Sequence, residues 1–123
     1  MRYLIDTHVF LWWLNDDKKL KELAQRAIEN PNNQVYVSVA TLWEISIKHT
    51  LGKLPLKTTL SEIISVSGFE LLSITGTHVL ELEKLPLFHN DPFDRMLIAQ
   101  TRVEQLIFIT VDEKMKNYDI KIL

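Results

Sequence analysis

The chain has 123 residues, of which 46% are hydrophobic and 24% charged, with a net charge of -2 and no cysteine. This composition excludes a disordered polypeptide and a disulfide or thiolate-metal scaffold. It also leaves any grip on a polyanion to local basic residues or a bound cation rather than to overall charge.

The first apolar run, Arg2–Ile5, reads as a strand, and Asp6 follows it directly ahead of a helical stretch. Asp6 and His8 interrupt this apolar N-terminus, which falls far short of the roughly 20 apolar residues of a membrane span. It also lacks the small-residue cleavage site of a signal peptide, so a cytoplasmic location is expected. Lys18–Glu29 carries Leu20, Leu23, Ala24 and Ala27 on one helical face, and Asn30-Pro31 stops it. Gln34–Ser38 is a second strand rich in β-branched residues, and Thr41–Leu51 is a helix ending at Gly52. A short helix at Leu60–Val66 leads to a third strand at Glu70–Ser73, and a helix spans Thr77–Lys84. Pro92–Glu104 places Phe93, Met96, Leu97 and Val103 along one stripe. A fourth strand, Leu106–Thr110, a short helix at Glu113–Lys116 and a fifth strand at Ile120–Leu123 complete the chain.

Strands alternating with helices predict an α/β fold with a central parallel sheet of four or five strands. Near-continuous apolar strands imply cover on both faces, hence a three-layer α/β/α sandwich. We expect one domain over residues 1–123. No glycine-rich phosphate loop is present, which removes the main support for a nucleotide-cofactor reading.

In such a fold, strand C-termini and helix N-termini share one edge of the sheet, and ligands bind there. Four acids are sent to that edge: Asp6 after the first strand, Glu44 beyond the second, Asp94 in the helix entering the fourth, and Asp112 beyond the fourth. Each has a local reading as well. Asp6 and Asp112 suit helix N-caps. Thr41 and Glu44 match a capping box. Asp91 suits the cap before Pro92, and Asp94 the first turn of the same helix. Together they exceed what capping needs. Two unit charges about 4 Å apart repel by about 4 kcal/mol at an effective dielectric near 20. A fold gathering four must protonate some or bind a cation, and carboxylates without thiolates favour Mg²⁺ or Mn²⁺. Such a centre supports phosphodiester hydrolysis.

LIDTHVFLWWL, VSVATLWEISIKHTLGKL, HNDPFDRMLIAQ and ITVDEKM, in this order, resemble a PIN-domain ribonuclease, specifically a VapC-like toxin of a toxin–antitoxin pair. The resemblance covers nearly the whole chain. It implies strand order 3-2-1-4-5 and Mg²⁺- or Mn²⁺-dependent endoribonuclease activity. Asp6, Glu44, Asp94 and Asp112 match the family's four acidic positions, and Thr110 a supporting hydroxyl. Asp91 is an extra acid found in some members. The resemblance further implies an RNA substrate, a homodimer and inhibition by a small antitoxin.

Lys48, Lys53, Arg95 and Lys114 lie near the acids in sequence and can receive flanking phosphates, or be ordinary solvated charges. Arg95 is the first choice for a site-facing role, or else for pairing with an acid. Among the histidines, only His8 is expected to line the cleft; His49, His78 and His89 read as structurally bland. Most of Phe10–Leu14 is expected in the core, with one tryptophan, or Trp43, exposed for a partner. A receiver-like phosphoacceptor module is disfavoured, because the third strand is followed by Thr75-Gly76 and no Asp. A catalytically silent PIN-like binding module and an RNA-processing nuclease outside a toxin pair are the remaining alternatives.

Overall fold

A computed structural model describes all 123 residues. Its strands are β1 (Arg2–Ile5), β2 (Gln34–Ser38), β3 (Glu70–Leu72), β4 (Ile107–Ile109) and β5 (Lys121–Ile122). All pairings are parallel and the order is β3-β2-β1-β4-β5, as expected. Ile5 pairs with Val37 on one side and Ile109 on the other, so β1, β2 and β4 end level with one another.

The pleat explains why these strands are apolar throughout. Successive side chains point to opposite faces. Tyr3, Ile5, Val35, Val37 and Ile109 enter one core, while Leu4 and Phe108 enter the other. The first core is covered by α1 (Thr7–Leu14), α2 (Glu22–Glu29) and α4 (Leu60–Ser67), through Val9, Phe10, Ala24, Ala27, Ile28 and Ile63. The second is covered by α6 (Pro92–Glu104), with Leu97, Ile98 and Ala99, and α5 (Gly76–Leu82) packs outside α6. The helix α3 (Val39–Thr50) gives Ala40 to one core and Ile45 to the other. The result is the expected α/β/α sandwich.

Two helix starts differ from expectation, each for a local reason. The helix α2 begins at Glu22 rather than Lys18, because Asp17 turns the chain instead: its carboxylate accepts the Lys19 amide at 2.9 Å and its carbonyl the Leu20 amide at 3.1 Å. Leu20 still reaches the core from that turn. The helix α3 begins at Val39, ahead of Thr41, because the Ser38 hydroxyl caps it by accepting the Ala40 amide at 3.0 Å. That early start moves Glu44 out of the first turn. At its other end α5 stops at Leu82, short of Lys84.

The helix α6 ends on Gln105 in the left-handed region, at φ +54°. A residue with a Cβ is penalised there and glycine is not. Gln105→Gly is expected to stabilise the fold by roughly 0.5–1 kcal/mol, the left-handed penalty less the entropy glycine adds to the unfolded chain. A urea midpoint that falls in this variant would contradict that account of the helix end.

Candidate active site

Asp6 sits immediately past β1 and is buried. Its Oδ1 accepts the Val9 amide at 2.8 Å and caps α1, while its Oδ2 accepts the Thr110 hydroxyl. A carboxylate has about four lone-pair positions, so capping does not exhaust it. Burial pushes the Asp6 carboxyl above its usual range, against the Thr110 hydroxyl, the Val9 amide, the His8 charge and the Val111 amide.

Glu44 does not form the capping box that its spacing from Thr41 suggests. With α3 starting at Val39, it lies beyond the first turn and is buried. Its Oε1 accepts the Thr7 hydroxyl at 2.9 Å and its Oε2 accepts Lys48 Nζ at 2.8 Å. The Thr7 and Thr41 hydroxyls lie 3.1 Å apart. Lys48 is raised above its usual range, first by its hydrogen bond to Glu44, against partial desolvation, and further by the charges of Glu44, Asp91 and Asp94.

Asp91 caps α6, its Oδ1 accepting the amides of Phe93 at 2.8 Å and Asp94 at 3.0 Å, with Pro92 at the first helical position. Asp94 follows in the first turn and is half-buried. Its carboxyl is pushed up to about 6, first by burial, then by the Asp91 charge, with Glu44 and Asp6 adding to it and His89 opposing. Asp94 therefore feels three other acids from three separate parts of the chain.

Asp112 follows β4. Its Oδ1 accepts the Lys114 amide at 3.0 Å and caps the 3₁₀ turn Glu113–Asn117. Thr110 ties it to Asp6: the hydroxyl that donates to Asp6 also accepts the Asp112 amide at 3.1 Å. Burial raises the Asp112 carboxyl, but hydrogen bonds from His89 and the Lys114 amide, with the Lys114 charge, outweigh it and hold the group below its usual range.

The residue that sequence reasoning missed is His89. It is buried, and its Nε2 lies 2.8 Å from Asp112 Oδ2 and 3.1 Å from Asp94 Oδ2. These three atoms fall within 4.8 Å of one another. The available signal was its position two residues before the capping Asp91, which the absence of paired-histidine spacing obscured. The other histidines follow expectation more closely. His78 is buried as a cap of α5, with its Nε2 3.1 Å from Glu104, and His49 bonds the Leu54 carbonyl at 2.9 Å. His8 is exposed beside Asp6 and tilts against Trp12.

Arg95 corrects the expectation of a site-facing cation. Its guanidinium donates to the carbonyls of Leu82 and Pro86 at 3.1 and 2.9 Å, with longer contacts to Leu85 and His89. These carbonyls end α5 and line the loop before α6, and their convergence offers the fork more acceptors than one carboxylate could. Lys48 is the basic side chain that reaches an acid. Trp43 is the exposed tryptophan, packed edge-on to Phe93 with ring centroids 5.2 Å apart. Trp12 and Trp13 pack against the first core.

The donors are carboxylate oxygens with no thiolate, a set that suits a hard divalent cation of the Mg²⁺ or Mn²⁺ kind. Burial first and the neighbouring acids second raise the Asp94 carboxyl, and such a cation would relieve the second of these.

A PIN domain family model matches residues 3–121. No curated protein matches the chain significantly. Among solved structures, a chain of VapBC2 from Rickettsia felis, crystallised with a promoter DNA fragment, superposes with TM-score 0.74 at 16% identity, covering 100% of this chain and 98% of that one. A chain of VapBC-1 from nontypeable Haemophilus influenzae superposes with TM-score 0.68 at 18% identity, covering 100% and 97%. A chain of a toxin–antitoxin complex from Klebsiella pneumoniae gives TM-score 0.66 at 17% identity, covering 98% and 95%.

The raised Asp94 carboxyl has a consequence for the metal-free protein. A carboxyl at about 6, against an ordinary 3.8, penalises the charged form in the fold. Stability is then greatest below the unfolded pKa and is lost as pH rises through the folded one. A shift of about two units, discounted for partial exposure, amounts to roughly 1–2 kcal/mol. Asp94→Asn should therefore be more stable than wild type by that amount near pH 7, and the two should converge near pH 4. Urea unfolding at both pH values in the presence of chelator measures this; equal stability near pH 7 would remove the repulsion from the account.

Proposed function

The chain belongs to the PIN domain family, and on that premise we propose that it is a Mg²⁺- or Mn²⁺-dependent endoribonuclease, acting as the toxin of a toxin–antitoxin pair. One observation carries the catalytic reading. Carboxylates from four distant segments gather at one end of the sheet, where Asp94 is raised to about 6 by burial and by its acidic neighbours. Capping explains each acid singly but gives no reason for their closeness.

Asp6, Asp94 and Asp112 would hold the cation directly or through water, with Glu44 beside them. When bound, the cation activates water for attack on phosphorus and neutralises charge on the leaving oxygen. Glu44 is held rigidly by Thr7 and Lys48, leaving lone pairs on both oxygens to orient a water and accept its proton. Lys48, half-exposed beside Glu44, offers a positive charge to the entering phosphodiester. Trp43, exposed and packed edge-on to Phe93, supplies an aromatic surface on which an unpaired base can stack.

The antitoxin partner is supported by the VapBC and toxin–antitoxin chains that share this fold. Exposed Trp43, Ile47 and Leu51, four residues apart along α3, form an apolar stripe suited to a protein partner or a second copy. No helix is long and apolar enough to cross a membrane, and we place the protein's action in the cytoplasm, where its RNA substrate is found.

Three measurements test this reading. Purified protein should cleave single-stranded RNA with Mn²⁺ or Mg²⁺ and stop in chelator, and Asp94→Asn should abolish cleavage without loss of fold. Mn²⁺ should raise the melting temperature of wild type but not of Asp6→Asn. Wild-type cleavage rates in Asp94→Asn would remove that residue from the mechanism. RNA binding without cleavage would favour a silent PIN-like module. Growth arrest on expression, relieved by a small protein encoded alongside, would separate a toxin from an RNA-processing nuclease.

A further inference from the structure

His89 is a buried histidine whose every polar atom is committed. Its backbone amide donates to the Tyr118 hydroxyl at 2.9 Å, and that hydroxyl donates to the Pro86 carbonyl at 2.8 Å. Its own carbonyl is approached by Arg95, which also gathers the preceding loop onto the start of α6. Its ring Nδ1 accepts the Asp91 amide at 3.1 Å. A ring nitrogen that accepts an amide proton presents its lone pair, so the ring proton lies on Nε2. That Nε2 points between Asp112 Oδ2 at 2.8 Å and Asp94 Oδ2 at 3.1 Å.

We propose that His89 is a positioning residue of the acidic site: its Nε2–H bridges Asp94 and Asp112 and holds their carboxylates, which come from different elements, at a fixed separation. The inference rests on the metal-centre reading given above. It differs from the alternative that His89 is itself a ligand, since an Nε2 that carries the proton has no lone pair for a cation. The logic is that of the supports that orient ligating groups elsewhere: a ligand held in place by a hydrogen bond needs no further ordering when the ion arrives. The bridge links the first turn of α6 to the segment after β4, which are otherwise separate. It works alongside Thr110, which links Asp112 to Asp6 through a single hydroxyl. Arg95 and Tyr118 act at one remove, by fixing the His89 backbone.

Three measurements on the full chain test this. In the metal-free protein, ¹⁵N shifts of the His89 ring should report a proton on Nε2 and none on Nδ1. Mn²⁺ titration should show affinity reduced about 10- to 100-fold in His89→Ala, the range found when supports of ligating groups are removed. His89→Gln, whose terminal amide can place a donor near Nε2, should recover most of it; a merely space-filling role would instead be met equally well by His89→Leu. Electron spin-echo spectra of bound Mn²⁺ should lack a histidine nitrogen coupling. A proton on Nδ1 would overturn the proposal, as would a nitrogen coupling to Mn²⁺ or Leu matching Gln in affinity. If wild type binds no Mn²⁺, the metal-centre reading fails, and the ring ¹⁵N shifts still decide the bridge.

Discussion

Negative charge brought into one place is the constraint on which this molecule turns. Level endings of β1, β2 and β4 put the residues that follow them at a common edge. Asp6, Glu44 and Asp112 arrive there from three strands, and Asp94 arrives on α6. A hydrophobic sandwich of this size gains nothing from such a gathering. Its core is complete without it, since both faces of the sheet are covered by apolar side chains of the helices. Caps give Asp6 and Asp112 a local role, but the closeness of all four acids is not something the core requires, which is the pattern of a site carried by a fold.

What makes the gathering tolerable in the folded chain is a set of hydrogen-bond donors. The Thr110 hydroxyl donates to Asp6 while accepting the Asp112 amide, the Thr7 hydroxyl donates to Glu44, and His89 Nε2 lies within reach of both Asp94 and Asp112. Only Lys48 brings a full positive charge into contact, and it does so on Glu44. Asp94 is the acid left with least compensation. Its carboxyl is raised to about 6, first by burial and then by its acidic neighbours, and buried Asp6 is raised as well, while Asp112, better supplied with donors, lies below its usual range. Neighbouring carboxylates pushed in opposite directions mark a site built for chemistry more often than a surface of solvated charges.

Much of this was legible in the residues. The strands Arg2–Ile5 and Gln34–Ser38 are short, mostly apolar runs opened by a polar residue, the first stopped by Asp6 and the second ending in Ser38, and their bounds are visible without coordinates. Asp91-Pro92 marks the start of α6 because proline suits the first helical position and aspartate the cap. The misses share a cause: each depends on which of several possible local partners a side chain takes. Ser38 captured the cap of α3 from Thr41, and Glu44 was thereby freed to face inward. Arg95 found backbone carbonyls where a site-facing role, or else pairing with an acid, was expected. His89 carries no spacing motif, since its acidic partners lie on α6 and past β4, and only the folded chain brings them within hydrogen-bonding distance.

The central claim is that these carboxylates share one divalent ion. Anomalous diffraction from crystals soaked in Mn²⁺ tests it at the level of atoms. The account predicts a manganese peak bounded by Asp6, Asp94 and Asp112, with Glu44 alongside. Manganese bound only at unrelated surface acids, with these four side chains holding nothing but their own helix ends, would contradict it.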